Sequence, residues 1–267
     1  MPFVQANGIR IGYEIVGSGA PLLLIAGLGY DRWMWHKMVP GLARHFRVIT
    51  YDNRGVGETD KPAGPYTAEL LADDAAALLT ALGIERAAVM GHSMGGFVAQ
   101  AFALQYPQRL THLILSATNF GGPNHVPVTP EALAVLMDMS GDPMQRLRRG
   151  IEVSTAPGFA AAQPELLAEW LAYRAAHPLH LAGYQAQLAI GLRLATEAAA
   201  FEGRLPQVRT PTLILFGAAD KVVPPANAGL LAAQIPDSRV EILAGAGHFF
   251  PLEMPAAANA AIIAFLR

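Results

Sequence analysis

The chain contains no cysteine, which removes disulfides, thiolate metal sites and a thiol nucleophile from consideration while leaving the redox compartment open. Lysine is nearly absent too, occurring only at Lys37, Lys61 and Lys221. With a formal net charge of -2 and no Lys/Arg block, the chain has no electrostatic reason to bind nucleic acid or an anionic membrane. A small molecule is the expected partner. Long apolar runs are missing as well: the strongest early one, Leu22 to Ala26, falls far short of the roughly 20 residues that a spanning helix needs. Met1 to Gly19 carries Glu14 and several glycines where an export signal needs a basic start and then an apolar stretch. The expectation is a soluble, cytoplasmic protein.

What the chain does have is apolar residues, 52% against 15% charged, enough to bury a large core. Its 267 residues suit one α/β domain with an insertion. Val4 to Gln5 and Ile9 to Val16, joined by Asn7-Gly8, alternate like an antiparallel hairpin. Short continuous apolar runs follow: Leu22 to Ala26, Phe46 to Tyr51, Ala87 to Met90, Leu110 to Ser116 and Thr212 to Phe216, with Val240 to Leu243 weaker. Such runs read as parallel strands buried on both faces. Between them, Ala68 to Leu82, Phe97 to Tyr106, Ala226 to Gln234 and Pro255 to Leu266 have helical period. The alternation predicts a mostly parallel, doubly wound α/β sheet behind the N-terminal hairpin.

That alternation breaks between about Phe120 and Arg204. The stretch is Ala/Leu/Gln-rich, has helix starts at Thr129-Pro130, Asp142-Pro143 and Gln163-Pro164, and lacks a convincing strand. It reads as an inserted helical lid, residues 120–204, with 1–119 and 205–267 forming the core.

Gly91-His92-Ser93-Met94-Gly95-Gly96 lies between a strand and a helix. The pattern G-x-S-x-G at such a turn strains the serine backbone and lifts its hydroxyl clear of the sheet, while glycines remove clashing side chains. The helix N-terminus there favours developing negative charge. A bland alternative is a serine that only caps the helix. A serine hydroxyl attacks poorly until a base takes its proton, so the reading needs a histidine and usually a carboxylate downstream. Of eight histidines, His248 lies in a loop after the last strand, at the carboxyl edge where Ser93 also emerges. His36 and His45 lie near a helix before the Phe46 strand, His112 falls inside a strand, and His125, His177 and His180 belong to the lid. His92 should point away from Ser93. Asp220, after Leu215-Phe216-Gly217, gives the chain order Ser, Asp, His of a nucleophile-elbow enzyme. Asp52, the rival acid, precedes the serine.

Backbone N–H groups of Met94 and of Leu28, in Ala26-Gly27-Leu28-Gly29, are the expected oxyanion donors, unless that loop is a plain strand-ending turn. Asp52-Asn53-Arg54-Gly55-Val56-Gly57 lacks phosphate-loop spacing and reads as a structural brace. Trp33, with Met34 and Trp35, either lines an acyl pocket or anchors the next helix to the core. Phe120 and Phe249 are further substrate-contact candidates. Among lid cations, Arg146, Arg148, Arg149 and Arg174 are available to an acidic group.

Taken together, these motifs resemble the α/β-hydrolase superfamily over essentially the whole length. Gly27 to Trp35 with Gly91 to Gly96 look like its carboxylesterase and enol-lactonase branch. The resemblance implies a serine esterase; with His248 moving the protons, acyl transfer on Ser93 needs no cofactor or metal, and the apolar lid favours small or medium apolar esters. A lactone, or a carbon-carbon bond beside a ketone, remains a substrate alternative, and a non-catalytic receptor a third reading. One departure is Ala26-Gly27, where many relatives have His-Gly. Related dehalogenases and epoxide hydrolases attack with Asp at the elbow, where this chain has Ser93.

Overall fold

The structure is a computed structural model that describes residues 2–138, 140–196, 198 and 200–267. Strands β1 (Phe3–Ala6) and β2 (Ile9–Val16) form the expected hairpin. Its turn works because Asn7 and Gly8 both adopt positive φ, 46° and 74°, as a two-residue hairpin turn demands. There follow β3 (Pro21–Ile25), α1 (Val39–Leu42), β4 (Arg47–Tyr51), α2 (Ala68–Ala81), β5 (Ala87–His92), α3 (Met94–Gln105) and β6 (Leu110–Ser116). The eight-stranded sheet has the order β1-β2-β4-β3-β5-β6-β7-β8, with β7 (Thr212–Gly217) and β8 (Ser238–Leu243) at the far end. Only the β1/β2 and β2/β4 pairs are antiparallel.

Side chains of one strand divide between two cores, as a pleated sheet covered on both sides requires. Leu23 and Ile25 join α2, α3 and α9 (Ala226–Gln234) on one face. Leu22 and Leu24 join α1 and α11 (Pro255–Leu266) on the other. The exception is β8, an edge strand on which Val240 and Ile242 are exposed. Its weak apolar signal follows from that position.

Between β6 and β7 stand α4 (Pro130–Met137), α5 (Pro143–Ser154), α6 (Phe159–Ala162), α7 (Pro164–Ala176) and α8 (Leu181–Leu194). The three expected Pro-marked starts open α4, α5 and α7. Helix α8 carried no such mark. Its N-cap is His180, whose Nδ1 accepts the Gly183 N–H. Tyr66 N–H and Gln187 tie α8 back to the core: Gln187 Nε2 donates to the Arg54 carbonyl and its Oε1 accepts the Gly29 N–H, each at 2.9 Å.

Candidate active site

Helix α3 begins at Met94, three residues before the expected start, so β5 turns into it with Ser93 as the single pivot. Ser93 sits at φ 54°, ψ -119°, a conformation that costs a non-glycine residue about 1–3 kcal/mol. The turn is possible because its neighbours carry no side chains. A Cβ on Gly91 would lie 2.1 Å from the Gly95 carbonyl oxygen, and one on Gly95 would lie 2.3 Å from that of Ile25. Ser93 is partly exposed and its N–H donates to the Ser116 carbonyl at 2.9 Å.

The loop after β8 brings His248 to the same edge. Its Nδ1 lies 2.7 Å from Asp220 Oδ2, with both side chains buried. A carboxylate only accepts, so Nδ1 carries the proton and Nε2 is left free to take one. Asp220 is itself fixed: its Oδ1 accepts the N–H groups of Val222 and Val223 at 2.8 Å. Among the described residues the Ser93 hydroxyl makes no hydrogen bond to a protein group. The structure thus joins Asp220 to His248 without a hydrogen bond from either to the Ser93 hydroxyl; catalytic hydrogen bonds are often long or poorly aligned in empty enzymes.

His92, expected to point away from Ser93, lies in the core. It is fully buried, its Nδ1 lies 2.8 Å from Ser116 Oγ and its ring centroid is 4.9 Å from that of His248. Burial, and then the neighbouring His248, push its pKa well below the ordinary histidine value, so it packs against His248 as a neutral ring. Other histidines have structural partners: His36 meets Glu169, His125 and His177 meet backbone carbonyls, and His45 meets Arg267. Half-buried His112, in β6, packs edge-on against Phe265 of α11.

Gly27 passes close to Ser93, since a Cβ there would lie 3.3 Å from that of the serine. The N–H groups of Leu28 and Met94 have no acceptor among the described residues. Asn53 Nδ2 donates to the Ala26 carbonyl at 3.0 Å, which holds this loop in place. Asp52, the rival acid, is committed elsewhere: it accepts from Arg32 Nη1 at 2.6 Å and from the N–H groups of Arg32 and Glu58. The loop from Asp52 to Gly57 is therefore a brace.

The aromatic candidates separate. Phe249 packs against Tyr30 and Trp170, at centroid distances of 5.1 and 4.8 Å, directly beside His248. Burial pushes the Tyr30 phenol up to about 12. Trp33 stacks between His36 and Tyr173, at 4.2 and 4.5 Å, and so joins the core to α7. Met34 and Trp35 are fully buried and serve as the anchor. Phe120 lies in the core with Ile190, Leu194 and Phe201. Of the four arginines, Arg174 donates to the Gly29 carbonyl at 3.1 Å and lies over the Tyr30 ring. Arg148 and Arg149 pair with Glu152 and Asp138, and Arg146 donates to the Gly141 carbonyl. A cavity of about 290 Å³ opens beside Gly29, between Asp52, Lys61 and His180, and neither Ser93 nor His248 lines it. Among the described residues no cluster of His, Asp or Glu is placed to hold a metal. Nor is any helix there long and apolar enough to cross a membrane.

A family model for the alpha/beta hydrolase fold matches residues 20–255. The chain belongs to the α/β-hydrolase family. A solved thermophilic esterase from Thermogutta terrifontis is 32% identical over 100% of this chain and 98% of its own, with a TM-score of 0.81. The solved enol-lactonase from Burkholderia xenovorans is 30% identical over 99% of both chains, with a TM-score of 0.82. A chain from Azorhizobium caulinodans that carries the name of a carbamate hydrolase, RutD, is 31% identical over 99% of this chain and 98% of its own. These α/β-hydrolase relatives span this sequence from end to end, yet their names divide among esters, lactones and carbamates.

Sequence reasoning passed over two features. The His92–Ser116 contact arises because those residues face each other across β5 and β6, and nothing local announces a parallel register. Glu253, buried near the loop that carries His248, was the other. An acid inside Phe249-Phe250-Pro251-Leu252-Glu253-Met254 was the available signal, since a carboxylate among large apolar residues is seldom surface decoration.

Proposed function

We propose that this α/β-hydrolase family member cleaves small to medium apolar carboxylic esters through an acyl-enzyme on Ser93. The observation that carries the reading is the 2.7 Å contact between His248 and Asp220 at the edge where Ser93 stands on its strained turn. Ser93 Oγ attacks the ester carbonyl while His248 Nε2 takes its proton. Asp220 holds the imidazole in the required tautomer and stabilises the imidazolium. The Leu28 and Met94 N–H groups receive the carbonyl oxygen as it becomes negative. Collapse breaks the carbon–oxygen bond, and Nε2 returns its proton to the departing alcohol. Water, deprotonated by the same nitrogen, then releases the acid and restores Ser93.

Residues 120–204 act in this reading as a lid, and the rings of Tyr30, Trp170 and Phe249 give the acyl group an apolar wall. Trp33, whose ring centroid lies 6.2 Å from that of Trp170, supports that wall from behind, whereas Phe120 lies in the core on the other face of the sheet. A lactone reading draws on Arg174, the cation that reaches the Leu28–Gly29 loop; a carbon–carbon substrate would use the same three residues. Ser93→Ala tests the core claim. Turnover of a p-nitrophenyl ester and covalent labelling by a fluorophosphonate should both vanish, and near-normal turnover in the variant removes the assignment. The ratio of kcat/KM for simple esters to that for lactones decides the substrate class.

A further inference from the structure

Glu253 ends α10 (Phe250–Glu253), is 6% exposed and takes no part in the acyl transfer above. One oxygen, Oε2, accepts the N–H of Gly247 at 3.1 Å and that of Ala156 at 2.7 Å. Gly247 immediately precedes the base, and Ala156 belongs to the inserted segment just after α5. The N–H of His248 itself donates to the Ser154 carbonyl at 2.8 Å. The base loop is therefore tied twice to residues 154–156, once through backbone and once through a carboxylate. The fit is tight, since a Cβ on Gly247 would lie 2.5 Å from the Thr155 carbonyl carbon.

The other oxygen, Oε1, is buried and has no partner among the described residues. A buried carboxylate with half its lone pairs unused is costly, and an apolar residue of similar volume fills such space without that cost. The charge therefore needs a beneficiary. Burial pushes the Glu253 carboxyl up, the two N–H donors and His248 pull it down, and Asp220 pushes it up further. Around His248 the titratable groups are Asp220, Glu253 and His92, the last held neutral by burial. One imidazole thus has two carboxylates on its side.

We propose that Glu253 is a positioning residue: it fastens the loop carrying His248 to residues 154–156 and supplies a second negative charge to the imidazolium formed during acyl transfer. The proposal rests on His248 being the base. His248→Asn tests that premise separately, because a variant with wild-type turnover removes the base assignment whatever Glu253 does.

Two variants divide the role. Glu253→Met keeps the volume and removes the acceptor, so kcat should fall about 10- to 100-fold, the usual range for residues that orient a reactive group, with KM within about threefold. Glu253→Gln keeps an oxygen for both N–H groups and removes the charge. Its kcat should fall less, while the acid limb of the kcat/KM profile moves to lower pH, because a group that favours imidazolium has gone. Each rate is normalised to the fraction of Ser93 labelled by fluorophosphonate. Normalised kcat of the Met variant within about twofold of wild type overturns the proposal. So does a Gln variant whose acid limb stays in place, the result that a purely structural role gives. If the Met variant does not fold, the acid limb of the Gln variant decides alone.

Discussion

Gly95→Ala adds one methyl group at a crowded point of the site. The Cβ would meet the carbonyl oxygen of Ile25 at 2.3 Å and that of Ala26 at 2.7 Å, and real Cβ atoms essentially never come within 3.0 Å of a non-bonded neighbour of this kind. Both obstacles are backbone, so no side chain can swing aside. The start of α3 and the end of β3 must separate by about 0.7 Å, the difference between 2.3 and 3.0 Å. The two proposed oxyanion donors lie on opposite sides of that seam, Met94 on α3 and Leu28 just past β3. A displacement approaching 1 Å between reacting groups costs about 10²-fold in rate, and overpacking a core of this kind costs about 1–3 kcal/mol of stability. Kinetics with a p-nitrophenyl ester should show kcat lowered by about two orders of magnitude with KM little changed. Urea unfolding supplies the stability figure. A folded Gly95→Ala enzyme with kcat within about threefold of wild type would refute the claim that this seam sets the donors.

Two further outcomes follow from the same geometry. Asp220→Asn should leave the fold intact and reduce kcat by about 10⁴-fold, as the amide favours the wrong imidazole tautomer; a loss below about tenfold removes Asp220 from the acid's role. His92, depressed by burial, stays neutral in the folded state while the unfolded chain takes up a proton below about pH 6.5. Its contribution to stability is therefore lost as pH falls, by up to about 1.4 kcal/mol at pH 5.5. Glu253 works in the opposite sense, since its raised carboxyl binds a proton first in the folded state. Comparing unfolding free energies of wild type and His92→Asn between pH 7.5 and 5.5 isolates the histidine, and parallel curves contradict the assignment.

Period and punctuation made most of the fold readable. Parallel strands such as β5 and β7 are buried throughout, so they appear as unbroken apolar runs, and a glycine-flanked serine between strand and helix has few other uses. Helix α8 escaped because its cap is a histidine and because Gly183 and Gly191 interrupt its pattern. Gly183 is there for the core rather than the helix: a Cβ would lie 2.1 Å from the Gly55 carbonyl oxygen. Three-dimensional neighbours are the harder class. Tyr30, Trp170 and Phe249 meet only because α7 docks on the α1 side of the sheet, a placement written in no single segment. Glu253 lay in plain view five residues from His248, but its partner Ala156 is 97 positions away.

Two hydrogen bonds, from the Ala156 N–H to Glu253 and from the His248 N–H to the Ser154 carbonyl, tie residues 154–156 to the loop carrying His248 and bear on how such enzymes are re-engineered. Exchanging everything between β6 and β7 for the equivalent stretch of a homologue looks like a change of roof only. In this chain the transplant would also carry off the wall bracket on which the histidine hangs. A chimera that keeps Ser154 to Ala156 as host sequence should retain a working centre under the new covering.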